Sequence, residues 1–281
     1  MNGHLMKLIN GNLNKYEMWE NTNELKSLKP IEFNNSKAFI KSVIVLLFVV
    51  FCVSEINAQS GGPPMITDDP GTPEVGGWEI NLSFNSDFKT RKKEFEIPLI
   101  DANYGFNKRT QLKIEFPYLV SKVNMEKSNQ HFGNVKFGVK YRFLDEEKYS
   151  FSFSCYPQVE ISTDTVGFQE FIFPIQFQKS FDRVVLGAEL GYAYLQYDSD
   201  CLFSGVLVGY RFSPSLAIMA ECNLFIDEKY LKETEATINF GIVYEINEFF
   251  KFISSIGTGI ISPDSDSKTK FISFVGMQFN I

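Results

Sequence analysis

Trp78-Glu79-Ile80-Asn81-Leu82-Ser83-Phe84-Asn85-Ser86-Asp87-Phe88 alternates apolar and polar side chains almost without a break. Successive side chains of a strand point to opposite faces, a period of two that no helix has. Trp78, Ile80, Leu82, Phe84 and Phe88 therefore share one face, and Glu79, Asn81, Ser83, Asn85 and Asp87 the other.

The pattern returns along the chain. Leu112, Ile114, Phe116 and Tyr118 oppose Gln111, Lys113 and Glu115, and Val135, Phe137, Val139, Tyr141 and Phe143 oppose Lys136, Gly138, Lys140 and Arg142. Four more stripes run over 171–177, 186–194 (with Glu189 opposite), 206–212 and 216–226 (with Glu221 opposite), and a fifth over 238–246 (with Glu245 opposite). With weaker runs at 95–106, 149–161, 250–260 and 271–281, about twelve strands are predicted. The 29 Phe and 12 Tyr against 2 Trp agree, because aromatic side chains stand well on a pleated surface.

The links set the topology. Tight ones are expected at Asn107-Lys108-Arg109, Asp145-Glu146-Glu147, Ser180-Phe181-Asp182, Ser213-Pro214 and Asn247-Glu248, and longer polar ones at 121–131, 162–169, 227–233 and 262–269. Short turns at one end and long loops at the other are a property of outer-membrane barrels, whose short turns are periplasmic. A soluble barrel of twelve strands would need its apolar faces inside, around a centre too wide to pack, since roughly eight strands already fill the interior. The expected fold is all-β: a closed antiparallel transmembrane β-barrel with apolar side chains facing lipid and polar ones facing the lumen.

Upstream, Lys37-Ala38-Phe39-Ile40-Lys41, the apolar run Val43 to Val53 and Ile56-Asn57-Ala58 have the basic start, apolar core and small terminal residue of a secretory signal. The run is too short for a spanning helix, which needs about 20 apolar residues. The expected organisation is a non-native or disordered extension over 1–36, a signal peptide over 37–58 cut after Ala58, a periplasmic lead-in or plug over 59–77, and the barrel over 78–281. Residues 1–58 hold six of the chain's 27 basic and five of its 34 acidic residues, so the remainder carries 21 against 29, a net of −8. That balance argues against a nucleic-acid partner. An odd number of cysteines survives cleavage, Cys155, Cys201 and Cys222, so no full disulfide framework forms.

Three stretches carry a family resemblance: Thr67-Asp68-Asp69-Pro70-Gly71-Thr72-Pro73 running into Gly77-Trp78-Glu79; Ile97-Pro98-Leu99-Ile100-Asp101-Ala102-Asn103-Tyr104-Gly105-Phe106 with Thr110-Gln111-Leu112 and Phe116-Pro117-Tyr118; and Gly138-Val139-Lys140-Tyr141-Arg142-Phe143-Leu144. In order and spacing they resemble the outer-membrane barrel family named for the MetA pathway of phenol degradation, also called simply transporters. The resemblance spans most of 65–145 and implies an outer-membrane barrel that takes up hydrophobic or aromatic compounds.

Enzyme chemistry has little to stand on. One histidine, His131, follows the signal, and no catalytic residues, cofactor motif or zinc-ligand spacing is found. Asp264-Ser265-Asp266 has a Ca²⁺-like spacing without the remaining ligands. Lys89-Thr90-Arg91-Lys92-Lys93 reads as a solvated hairpin tip, with anionic lipid headgroups as the functional alternative. The candidate site is the lumen lining: Lys113, Lys136, Lys140 and Arg142 on one wall, and Glu189, Glu221 and Glu245 on the wall across from it. Across water such walls orient polar solutes; in a narrow lumen they satisfy one another. Two functions stay open, a channel for small-molecule solutes and a structural or binding barrel with a side-chain-filled lumen. Lipid of the outer membrane is an expected partner, as is the barrel-assembly machinery, to which the terminal stripe Phe271, Val275, Met277, Phe279 and Ile281 is suited.

Overall fold

The structure, a computed structural model, describes residues 62–123, 128–163, 167–228, 234–262 and 268–281. The extension over 1–36, the signal over 37–58 and Asp264-Ser265-Asp266 lie outside the described residues.

Fourteen strand segments build one sheet: β1 (Trp78–Lys89), β2 (Lys92–Asn107), β3 (Thr110–Val123), β4 (Asn129–Phe132), β5 (Val135–Leu144), β6 (Ser152–Cys155), β7 (Gln158–Ile161), β8 (Phe168–Phe181), β9 (Val184–Leu195), β10 (Cys201–Ser213), β11 (Leu216–Asp227), β12 (Glu235–Glu245), β13 (Phe250–Ile261) and β14 (Thr269–Asn280). All pairings are antiparallel, and β1 pairs with β14 from Glu79↔Asn280 to Lys89↔Thr269, which closes the barrel. Trp78 and Ile281 complete the seam, each N–H donating to the other's carbonyl at 2.7 and 2.9 Å.

The barrel has twelve staves, because two of them are broken. β4 and β5 both pair with β3 and are separated at Gly133-Asn134. β6 and β7 both pair with β8 and are separated at Tyr156-Pro157, where proline has no N–H for the ladder. The run expected as one strand over 149–161 is thus two short pieces.

At the short-turn end the connection after β5 is longer than the tight turn expected. One helical turn, α1 (Glu146–Tyr149), follows Asp145, whose side chain caps it by accepting from the Glu147 N–H at 3.2 Å. At the loop end, β1 and β2 are joined by Thr90 and Arg91 alone, and His131 belongs to β4 rather than to a loop.

The outward stripes are bare of protein. Val206 is 60% exposed, Ile256 56% and Phe240 54%, in company with Leu190, Val208, Ile242 and Ile260. A contiguous apolar surface of this extent is not tolerated in water but is the lipid band of an outer-membrane barrel. Aromatic residues gather where that band ends, Trp78 against Tyr104 (4.9 Å between centroids) at the turn end and Phe88 against Phe271 (5.8 Å) at the loop end. Cys222 lies on the exposed face and Cys201 faces inward; both are free thiols, as is Cys155.

The interior differs from a uniformly polar lining. Over β8 to β14 it holds two apolar clusters, Ile172, Ala193, Leu195, Cys201, Phe203 and Phe225 towards the loop end, and Val185, Leu207, Ala217, Met219, Val243, Ile253 and Phe274 towards the turn end. Charged and amide side chains line the other half, over β1 to β7.

Candidate functional site

Residues 62–73 lie inside the barrel. The chain leaves β1 at the turn end, where the Gly76 N–H donates to the Gly105 carbonyl at 2.7 Å, and reaches mid-lumen before folding back on itself. The fold-back is closed by the Gly62 N–H on the Thr67 carbonyl at 3.0 Å and the Met65 N–H on the Gly62 carbonyl at 2.8 Å, with Gly62 at φ +82°, a conformation other residues rarely take.

Met65 packs into the turn-end apolar cluster and Ile66 onto the loop-end one. The polar residues that follow are held from two sides. On the acidic wall, Glu221 accepts the Ile66 N–H and the Thr67 N–H, each at 2.8 Å, and Glu189 accepts the Asp68 N–H at 3.3 Å. On the basic wall, Lys140 donates to the Asp69 carbonyl at 2.6 Å and pairs with the Asp68 carboxylate at 3.1 Å. Thr67 Oγ1 donates to Asn223 Oδ1 (3.1 Å) and Ser255 donates to the Pro64 carbonyl (2.8 Å). The Thr67-Asp68-Asp69-Pro70-Gly71 stretch is a turn, as its residue types require, with the Gly71 N–H donating to the Asp69 carboxylate. Burial pushes the Asp68 carboxyl up, but the Lys140 ammonium beside it prevails and holds it below the ordinary aspartate value.

The backbone of the wall makes room for this segment. A Cβ on Gly205 would meet Thr67 Oγ1, and one on Gly241 would meet Met65 Sδ. Both positions point inward, and both are glycine for close approach rather than for an unusual φ.

Each predicted lumen residue has a definite place. Lys113 is buried between Asp101 (3.2 Å) and Glu115 (2.9 Å), and Lys136 is buried against Glu160 (3.6 Å). Lys140, Glu189 and Glu221 hold the segment. Arg142 and Glu245 lie at the turn-end rim instead of mid-lumen: Arg142 donates to the Lys108 carbonyl (2.7 Å) and pairs with Asp145 (3.2 Å), and Glu245 pairs with Lys251 (3.5 Å). The two walls face each other neither across open water nor in direct contact, because residues 65–69 stand between them. The candidate set lacks Asp101, Glu115, Glu160 and Tyr156, although the alternation already places Glu115 on the polar face beside Lys113. The first three occupy inward phases of their strands, and Tyr156, at the strand break, stacks under the Lys140 ammonium at 4.7 Å from its ring centroid.

Two cavities of the polar half bear on the lumen path, and a smaller one, about 50 Å³, lies between Pro64, Met65 and Asp87. The inner one, about 160 Å³, lies between the segment and Glu79, Asp101, Gln111, Lys113 and Lys140. The outer one, about 260 Å³, opens towards the loop end between Glu94, Glu96, Glu115, Lys136, Glu160 and an apolar wall of Pro117 and Leu119. Asp101 and Lys113 line the first and Glu115 the second, so this ion-paired triad forms the partition between them.

A closed, lipid-facing barrel with charged side chains inside is an outer-membrane β-barrel. No family model and no curated protein matches the chain. Among solved structures it is similar to an outer-membrane channel from Pseudomonas putida F1, with TM-score 0.61 and 7% identity over 79% of this chain and 100% of that one. It is also similar to the NanC porin, with TM-score 0.54 and 10% identity over 71% of this chain and 98% of that one. At such identities the likeness is one of fold, and the fold is that of proteins resident in the outer membrane.

Proposed function

We propose that the chain is an outer-membrane channel for small molecules, in which passage follows the polar half of the lumen while residues 62–73 fill the remainder. The observation that carries this reading is the pair of cavities along β1 to β7, with the ion-paired Asp101, Lys113 and Glu115 on the border between them. A path of this width admits single small solutes and differs from the wide aqueous bore of barrels of sixteen or more strands. The apolar wall of Pro117 and Leu119 suits small hydrophobic or aromatic solutes, the class implied by the resemblance to the phenol-degradation barrels.

The burial of Lys113 between its two carboxylates favours a second reading, a binding or structural barrel whose lumen stays closed. Planar-bilayer recordings on the purified barrel separate the two. A channel gives small unitary steps, and Lys113→Ala, which removes the side chain from the partition, enlarges them severalfold. A silent bilayer for both proteins, with both barrels still folded by heat-modifiable gel migration, supports the closed reading.

A further inference from the structure

The loop-end half of the polar wall carries an excess of acid that neither the seat of the segment nor the partition uses fully. Asp87 on β1, Glu94 and Glu96 on β2, Glu115 on β3, Glu160 on β7 and Glu170 on β8 all point inward there, against Lys89, Lys92 and Lys136. With Lys113, which pairs with Glu115 from the partition, six carboxylates therefore meet four ammonium groups. The register makes them neighbours: Asp87 faces Glu94 across the β1–β2 ladder, and Glu115, Lys136, Glu160 and Glu170 follow one another across β3, β5, β7 and β8.

The ends of this arc are the informative positions. Asp87 is 1% exposed and Glu170 0%, and none of their four carboxylate oxygens accepts a hydrogen bond. Buried carboxylates almost always find donors, so two without any, on β1 and on β8 five staves away, mark a place suited to a donor that is not part of the protein. Neither lines the outer cavity, about 260 Å³, but each faces across its ladder a carboxylate that does, Asp87 facing Glu94 and Glu170 facing Glu160.

We infer that this acid ring is a binding site for small organic cations, in particular protonated amines carrying one modest apolar group, which the outer cavity accepts ammonium end towards the carboxylates. Rings of Asp and Glu select cations in the same way in other pores. The inference rests on the channel reading only for onward transport; binding and electrostatic attraction in the outer cavity do not require the partition to open.

Ser121 provides a reporter, since it lines the outer cavity and pairs directly with Glu94. In a background with Cys155, Cys201 and Cys222 replaced by serine, Ser121→Cys is treated with methanethiosulfonate reagents of equal size and opposite charge. The cationic reagent is expected to react faster by about tenfold after normalisation to a free thiol in solution, an excess that high salt collapses. Asp87→Asn with Glu170→Gln should lower that excess at least threefold, and benzylammonium should slow modification where benzyl alcohol does not. If the double variant fails the heat-modifiability test for folding, the salt and benzylammonium responses of the parent carry the decision. A charge ratio near one, a ratio that survives the double substitution in a folded barrel, equal effects of the amine and the alcohol, or a thiol inert to both reagents overturns the inference. Because no current is measured, a silent bilayer leaves this outcome standing, and a conducting channel does not rescue it.

Discussion

Replacing Glu221 with leucine is expected to unseat residues 62–73 and raise unitary conductance severalfold while the barrel stays folded. Glu221 alone accepts two backbone N–H groups of the segment, and it also accepts from Asn239 Nδ2 at 3.0 Å. Leucine has similar bulk and no acceptor. Each buried N–H left without one costs about 1–3 kcal/mol, so the pair costs about 2–6 kcal/mol. A change of 1.4 kcal/mol shifts an equilibrium about tenfold, so even the lower bound raises the unseated-to-seated ratio about 30-fold. Glu221→Gln keeps a carbonyl acceptor and should have a much smaller effect. The readout is the unitary step in planar bilayers; identical steps for Glu221→Leu and the parent would show that the segment does not limit conduction.

Gly241→Leu is expected to have an effect of comparable size by a different route. Its side chain would start where Met65 Sδ now sits, so Met65 must leave the turn-end cluster and draw Ile66 and Thr67 off Glu221. Limited proteolysis should then cut within 62–73, where the parent is protected. Gly187→Ala is the matched control, because its new Cβ would make only ordinary contacts, at 3.5 and 3.6 Å, with Leu207. Combined with Glu221→Leu, Gly241→Leu should add little, since both remove the same seat and neighbours in one network are not additive. Cleavage patterns like the parent's would contradict the tight approach on which this rests.

How legible all this was in the sequence depends on the signal involved. Strand number, phase and closure follow from period two alone, and Val206 or Phe240 faces lipid because nothing else in the pattern could hold its stripe. The inner face was harder to read. Glu189 and Glu221 stood out by charge, yet Phe203, Leu207, Met219 and Val243 share their phase and make half of the lumen apolar. That half was visible in principle, since strands apolar on both faces are buried on both faces. Arg142 and Glu245 were read as lumen groups because phase fixes the side of a strand but not the height along it. The seat of the segment was beyond reach. Asp68-Asp69-Pro70-Gly71 announces a turn, but its position depends on Lys140 more than 70 residues away and on Glu221 more than 150 away, contacts that no local pattern encodes.

Residues 62–73 fill part of the lumen and so confine passage to its polar half, and a reversible crosslink tests this most directly. A Cβ built on Gly205 lies 3.3 Å from the Thr67 Cβ, near the separation of about 3.5–4.5 Å that a disulfide needs; Thr67→Cys removes the Oγ1 it would meet, which leaves the Asn223 amide oxygen, at 2.6 Å, to turn aside. In the background lacking Cys155, Cys201 and Cys222, Thr67→Cys with Gly205→Cys should crosslink on mild oxidation in intact outer membranes. When Glu221→Leu is added, oxidation should hold conductance at the parent level and reduction should release it severalfold. Two thiols that stay free and fully reactive under the same oxidation, or a crosslink whose reduction leaves the conductance of the Glu221→Leu barrel unchanged, would contradict it.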